Sequence, residues 1–488
     1  MESIVKKRDT GSSDVFAGRS MNHDKGFSRF TILSMTVMLM ATWEALSSTM
    51  VSGLISGGPV SLVYEFILAI IGALATAASL GELASMYPTA GGQYHFTAML
   101  APARYGNILS WAVGWIGTFG WISFTASAPF LAATMIQGLL TLNLEAYEEQ
   151  RWHGSLIYWA LVAMGAVINT WGSRLLSFVE GASLIVHVLA FVANFIVIWV
   201  CSPVKHSAGF VFTLFQNNSG WPSDGVAWSI GMLSSCYVLT GYDGAIHLGE
   251  EMANPEIALP YCMIGSIALN GMLGFGFLLT ILFCMGDMQA ALDNSSGFPI
   301  IEIFCSVTGA AASTAMTSTL ILTAWLATIA LLASTARLLW SLARDKAVPG
   351  HKYLVKLDKK TQLPKRSTLA TSIVLVLLGL INIGSTTAFN AILSPAVLGL
   401  HVSYVVPIVL MLWRRLRPAN AALNYVSVCY LVYTSIFMVF PPYQPATAVN
   451  MNYSSLIFGI VLIFSGMYWV WKGRKQYIGP SIEIRRGI

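Results

Sequence analysis

Ionisable side chains interrupt long apolar runs at Glu44, Glu65, Glu82, Glu180, His187, Asp243 and His247. A charge in hydrocarbon is costly, so such groups face a cavity, a partner or a solute path. Glu82 and Glu180 fall near the ends of their runs and Glu65 lies early in its own. These three read as interfacial carboxylates that hold loops. Glu44 and Asp243 lie deeper, where the helical pattern falters. The first stretch reads ATWEALSST from Ala41 to Thr49 and then meets Gly57, Gly58 and Pro59. The second reads LTGYDGA from Leu239 to Ala245, with Gly241 and Gly244 bracketing the acid and weakening the helix. A helix broken in hydrocarbon exposes backbone N–H and C=O groups, tolerable only where they line a cavity or hold a ligand. Trp43 lies beside the first break, Tyr237 and Tyr242 lie at the second, and Trp121 lies on a further run. Aromatic faces with a carboxylate suit an ammonium group through cation–π attraction and charge pairing. The substrate-binding candidates are therefore Trp43, Glu44, Ser47, Ser48, Trp121, Tyr237, Gly241, Tyr242 and Asp243. Two plainer readings stand beside this one: a glycine pair for helix packing, and tryptophans as interface anchors.

His187 lies mid-way along its run between Val186 and Val188. It is either a neutral imidazole held by a backbone carbonyl or a group that gains and loses a proton near neutral pH. Asp243 competes for that role, because burial favours the protonated carboxyl.

The elements that must position these residues are membrane helices. The chain is 56% hydrophobic and only 10% charged, whereas a soluble domain runs near 25% charged. That excludes a soluble enzyme, a disordered chain and a nucleic-acid binder. A helix needs about 20 apolar residues to cross a bilayer. Twelve such spans are predicted, at 30–55, 60–86, 107–140, 155–171, 175–201, 227–249, 262–286, 313–343, 367–387, 389–413, 423–441 and 453–472. They follow a tail at 1–29. Spans 1–5 occupy 30–201 and an outer loop 202–226. Spans 6–10 occupy 227–413, spans 11–12 occupy 414–472, and 473–488 is the second tail. Two broken segments five spans apart fit an inverted repeat.

With both tails cytoplasmic, inside segments hold 24 of the 27 Lys and Arg residues, which sets the orientation. The sequons at Asn217, Asn294 and Asn452 then all fall outside and are glycosylation candidates. The six cysteines form no CxxC pair, and no His, Cys and carboxylate set has ligand spacing, so no metal, cofactor or catalytic constellation is expected.

Three stretches resemble a known group: GELASMYPTAGGQY from Gly81 to Tyr94, GYDGAIHLGEEMANP from Gly241 to Pro255, and STARLLWSLARD from Ser334 to Asp345. They are similar to the second-span, sixth-span and eighth-span signatures of the amino acid–polyamine–organocation superfamily. WEALSS from Trp43 to Ser48 and AIHL from Ala245 to Leu248 resemble fungal permeases of the amino acid/choline transporter family. The resemblance implies an all-α LeuT-type fold: a 5+5 inverted repeat plus two helices, with a mid-membrane site between broken spans 1 and 6. It places Asp243 where bacterial relatives have a functional glutamate, and Tyr237 where they have a gating tryptophan. It places His187 where some proton-coupled relatives have a lysine at the sodium position of the fold, with Ser334 and Thr335 as its neighbours. Span 1 departs from amino acid transporters in lacking their Gly-x-Gly, and Glu44 in that zone would favour a cationic solute. The expectation is a permease, not an enzyme. It would import a small amine such as choline, an amino acid or γ-aminobutyrate across the plasma membrane, or the vacuolar membrane in its place, with the proton as coupling ion. A non-transporting nutrient sensor or an exchanger of the same fold is the alternative.

Overall fold

A computed structural model describes residues 28–252, 254–293, 298–384, 390–414, 421–448, 450–477 and 479–480, the side chains of 173–177, 390 and 391 aside. The sequon at Asn294 and most of both predicted tails lie outside the described residues. The regular elements of the described residues are helices, joined by loops. In chain order the helices are α1 (Arg29–Met40), α2 (Thr42–Met86), α3 (Gln93–Leu100), α4 (Gly106–Asn143), α5 (Arg151–Trp171), α6 (Ser173–Cys201), α7 (Ala208–Thr213), α8 (Asp224–Gly231), α9 (Leu233–Val238) and α10 (Gly244–His247). They continue as α11 (Pro255–Cys284), α12 (Met288–Leu292), α13 (Pro299–Thr308), α14 (Ala310–Arg344), α15 (His351–Leu354), α16 (Lys365–Gly379), α17 (Ile381–Gly384), α18 (Asn390–Trp413), α19 (Ala421–Phe437) and α20 (Ser454–Tyr468).

Among the described residues, nine helices are long and apolar enough to cross a membrane. Twelve were expected, and the difference has local causes. One apolar stretch, Arg29–Met86, runs 58 residues, about 87 Å of helix against a hydrocarbon core of about 30 Å. It turns at Gly58 (φ 73°, ψ −163°), followed by Pro59, which has no N–H to continue the ladder. The segment 214–218 repairs the turn: Gln216 N–H donates to Gly57 O, Asn218 N–H to Ile55 O, and Val60 N–H to Leu214 O. The predicted sixth span is divided among α8, α9 and α10, and α19 is a shorter apolar helix of 17 residues.

Large apolar side chains stand exposed on the outer flanks, including Phe178, Leu189 and Val200 on α6 and Leu456, Ile460 and Ile463 on α20. Water would not tolerate so continuous an apolar flank, and a bilayer favours it. The interior is close-packed. Gly120 of α4 and Gly399 of α18 meet so tightly that a Cβ on Gly399 would lie 2.8 Å from Gly120 Cα. This is the small-residue contact that membrane helices use to bring backbones together.

The loops gather at two ends. At one end Arg414 donates to Ala101 O and Tyr477 meets Ser110. This end carries the Lys- and Arg-rich segments and is called the basic face. At the other, Trp221 donates to Pro441 O and Asn143 pairs with Thr314.

Candidate functional site

Both anticipated helix breaks are present, and both are buried. In span 1 the break is a single residue, narrower than the stretch from Ala41 to Thr49 that the sequence singled out. Ala41 adopts a left-handed conformation (φ 40°, ψ 52°), capping α1 and starting α2. That conformation costs an L-residue about 1–2 kcal/mol. Trp43, Glu44, Ser47 and Ser48 are therefore helical, and Glu44 sits in the first turn of α2, where the helix dipole favours negative charge. In span 6 the chain leaves helical winding from Leu239 to Asp243, with Gly241 at φ 103°. A Cβ on Gly241 would lie 2.5 Å from Phe124 Cε1, and one on Gly244 would lie 2.7 Å from Leu39 Cδ2. Glycine at these positions lets the broken segment touch α1 and α4 directly.

The two deep acids are engaged separately. Glu44 Oε1 lies 2.7 Å from His187 Nδ1 on α6, with both side chains fully buried. Among the described residues, neither Glu44 Oε2 nor His187 Nε2 has a hydrogen-bond partner, and neither does Trp43 Nε1, whose ring lies 6.0 Å from the imidazole. Asp243 is enclosed by donors instead. Its Oδ2 accepts from Gln93 Nε2 at 2.7 Å and Trp121 Nε1 at 3.0 Å, and its Oδ1 from Tyr404 OH at 2.6 Å. His247 Nε2 is 3.8 Å away, while its Nδ1 lies 2.8 Å from Ala90 O. Glu44 thus ties span 1 to span 5. Asp243 ties span 6 to α3, α4 and α18. Among the described residues, no hydrogen bond or ion pair joins them to a common partner.

Among the described residues, Ser334 and Thr335 make no hydrogen bond to His187. Ser334 Oγ donates to Gly244 O, and Thr335 Oγ1 lies 2.6 Å from Thr125 Oγ1 of α4. They fasten α14 to spans 6 and 3, because the face of α14 that meets α6 is apolar, with Leu326 and Ile329. The interfacial reading of Glu65 and Glu180 is corrected. Both are fully buried, and none of their carboxylate oxygens has a hydrogen-bond partner among the described residues. Glu65 is wedged behind Gly53 and Gly231.

A cavity of about 340 Å³ opens away from the basic face. Ser48, Thr49 and Ser52 of α2, Phe130, Thr134 and Gln137 of α4, and Ser394 of α18 form its walls, with Glu149, Arg151, Phe298 and Tyr443 at its mouth. Burial raises the Glu149 carboxyl above its usual range. Ser48 belongs to both the wall and the sequence-predicted set. Ser47 is fully buried and donates to Glu44 O of its own helix. One turn deeper than the cavity wall on α9 and α4, Tyr237 OH meets Ser127 Oγ, and Phe124 stacks edge-on against Tyr237 at 5.3 Å. Trp121, Gly241, Tyr242 and Asp243 lie beyond that contact along the same elements. Two of the sequons act as loop pins: Asn217 donates to Trp221 O and Asp224, and Asn452 donates to Met438 O and Phe440 O.

The opposite side of the break is shut by charge. Arg337 grips Glu251 through Nε and Nη2, and Arg344 grips Glu250 with both terminal nitrogens. Glu250 also accepts from Ala90 N–H. Burial alone would raise the Glu250 carboxyl, but the Arg344 guanidinium holds it below its usual value. Asp345 accepts from Tyr94 OH at 2.7 Å and lies 3.1 Å from His95 Nε2. This latch joins α3, the end of span 6 and α14. Sequence reasoning quoted its residues inside motifs without giving them a role. The available signal was Arg337, a lone cation inside an apolar helix.

Closed charges on one side, a cavity on the other and two broken helices between them are the anatomy of a solute carrier. The amino acid permease family matches residues 27–463. The chain belongs to that family. The permease is 30% identical to the choline transporter of Saccharomyces cerevisiae over 98% of this chain and 87% of that protein. It is 27% identical to amino-acid permease 2 of Neurospora crassa, over 93% of this chain and 86% of that protein. It is 26% identical to amino-acid permease BAT1 of Arabidopsis thaliana, over 99% and 98%. These relatives are permeases and transporters, not enzymes. The permease is accordingly a multi-pass membrane protein that transports a small molecule.

Proposed function

We propose that this permease imports a small amine, with choline the first candidate ahead of an amino acid or γ-aminobutyrate, and couples uptake to protons by alternating access. The carrying observation is the pair of buried helix breaks at Ala41 and Leu239–Asp243, packed against one another between an open cavity and a closed ionic latch. The twelve-span 5+5 arrangement accounts for these breaks, with both tails cytoplasmic in the plasma membrane and the basic face inside. The cavity is then extracellular and the conformation outward-facing. Aromatic groups buried deeper than its wall, Phe124, Tyr237 and Trp121, suit an ammonium solute once the path to them opens.

Coupling is assigned to the Glu44 and His187 pair. A proton on His187 makes an ion pair with Glu44 at 2.7 Å. Its loss leaves a lone carboxylate in the first turn after the break. The charge state of the pair therefore acts on the point where span 1 bends. Asp243, satisfied by three donors, acts as the pin that holds span 6 against spans 3 and 10.

Radiolabelled uptake in a transport-deficient cell, across choline, γ-aminobutyrate, neutral and basic amino acids and putrescine, tests the substrate. Choline uptake is expected to rise as external pH falls, and His187→Ala to abolish that rise while protein still reaches the membrane. Uptake that ignores pH and stops without sodium would refute the coupling. Substrate binding without any uptake would favour a nutrient sensor.

A further inference from the structure

A groove of about 860 Å³ lies at the basic face, between the end of α20 with its continuation and the start of α15. One wall is apolar: Phe464, Met467, Tyr468 and Trp471. Leu456, Ile460 and Ile463 continue the exposed apolar surface of α20 towards the other face. The rim is cationic. Lys352 and Lys472 line the groove, and together with Lys346 they act on His351, which burial and these three ammonium groups hold below its usual value. Lys472 Nζ stands 4.4 Å from the Trp471 ring centroid, so its ammonium is held at the mouth rather than trailing into solvent.

Three nearby charges are neutralised. Lys365 pairs with Asp358, Arg344 with Glu250 and Arg337 with Glu251. No ion pair of Lys346, Lys352 or Lys472 is found among the described residues. Three uncompensated cations beside an apolar wall that runs into the bilayer demand an amphiphile: a hydrocarbon chain for Phe464 and Met467, and an anion for the lysines. A free anion leaves the apolar wall uncovered, and a neutral lipid leaves the cations unpaired.

We propose that this groove is a binding site for an anionic phospholipid of the leaflet at the basic face. Its acyl chain lies along Phe464 and Met467, and its phosphate and anionic headgroup sit among Lys346, Lys352 and Lys472. The lipid joins the end of α20 to the segment that follows α14, and so braces the helix that carries Arg337 and Arg344. The proposal is independent of the substrate and of proton coupling.

The test uses the full chain, purified in a neutral detergent. It is titrated with phosphatidylserine, phosphatidylcholine or water-soluble glycerophosphoserine, with bound lipid counted by native mass spectrometry. Juxtamembrane basic residues contribute roughly fivefold each to anionic-lipid affinity. The combined variant Lys346→Gln, Lys352→Gln, Lys472→Gln is therefore expected to bind phosphatidylserine roughly a hundredfold more weakly. A charge-matched control, Lys356→Gln, Lys359→Gln, Lys360→Gln, is expected to bind it as the parent does. All six lysines are exposed or loop residues, so both variants fold. Equal retention of phosphatidylserine by the two variants overturns the proposal. So does equal binding of phosphatidylcholine, or binding of glycerophosphoserine as tight as that of the intact lipid.

Discussion

Replacing Glu251 by Gln should open the permease at its basic face. Arg337 is almost buried, its side chain 5% exposed, and Glu251 is 26% exposed. Their contact is bidentate, with distances of 2.5 and 2.9 Å. Breaking a fully buried pair by removing one partner costs about 3–5 kcal/mol. The partial exposure of Glu251 discounts this to about 2 kcal/mol, since a solvated pair contributes little. If that energy belongs to the latched state alone, its loss moves the equilibrium roughly 30-fold towards the opened one. Glu180 on α6 lies within Coulombic reach of Arg337 and offers it an alternative partner. The double variant Glu251→Gln, Glu180→Gln removes that route and should reach the full shift. The reporter is Ser341→Cys, nearly isosteric and buried behind the latch. It is read in a protein whose more accessible Cys201, Cys305 and Cys429 are replaced by Ser. A charged thiol reagent is added to vesicles that expose the basic face. Labelling should accelerate by about an order of magnitude or more in the variants. It should return towards the parental rate in the charge-swapped pair Arg337→Glu, Glu251→Arg. An unchanged rate in both variants would show that the latch does not close this face, and the reasoning from its geometry would fail.

Other outcomes follow from the same structure. Ala41 holds a left-handed conformation while buried, so Ala41→Gly should keep uptake, whereas Ala41→Val, β-branched at positive φ, should abolish it; uptake by the valine variant would show that span 1 is not broken there. Glu65 is buried with both oxygens unpartnered, so Glu65→Met should raise stability by about 1–3 kcal/mol, read as a higher thermal midpoint in detergent, and a lower midpoint would reveal a partner. Glu250 has its carboxyl held below the ordinary value of 4.5. Its stabilising charge is therefore fully present above that value and lost only as pH falls through the depressed one. Ser341→Cys labelling, divided at each pH by the rate of a free thiol because only the thiolate reacts, should stay flat from about pH 5 to 8 and rise only in stronger acid, and acceleration near pH 6.5 would assign the latch to a histidine instead.

Much of the architecture was legible in the chain because the bilayer imposes it. Length and apolarity of runs mark the chain as a multi-pass membrane protein, and the Lys and Arg bias distinguishes the two faces. Gly241 and Gly244 around Asp243 announced a broken span 6, since glycine is the residue that tolerates positive φ and close approach. Ala41 carried no such signal: its left-handed turn is imposed by packing between α1, α2 and their neighbours, so the first break could be placed only within a stretch. Partnership was still less legible. Glu44 and Asp243 look alike in sequence, each an acid in a faltering helix. Yet one meets a histidine 143 positions away and the other is caged by Gln93, Trp121 and Tyr404 from three separate helices. Glu65 and Glu180, read as interfacial, proved buried, because depth along a run does not tell which neighbour covers it. Local sequence thus determines where a helix bends and which side chains are costly to bury. Which charge neutralises which is decided only when distant helices pack, because Coulomb energy depends on separation in space and not along the chain.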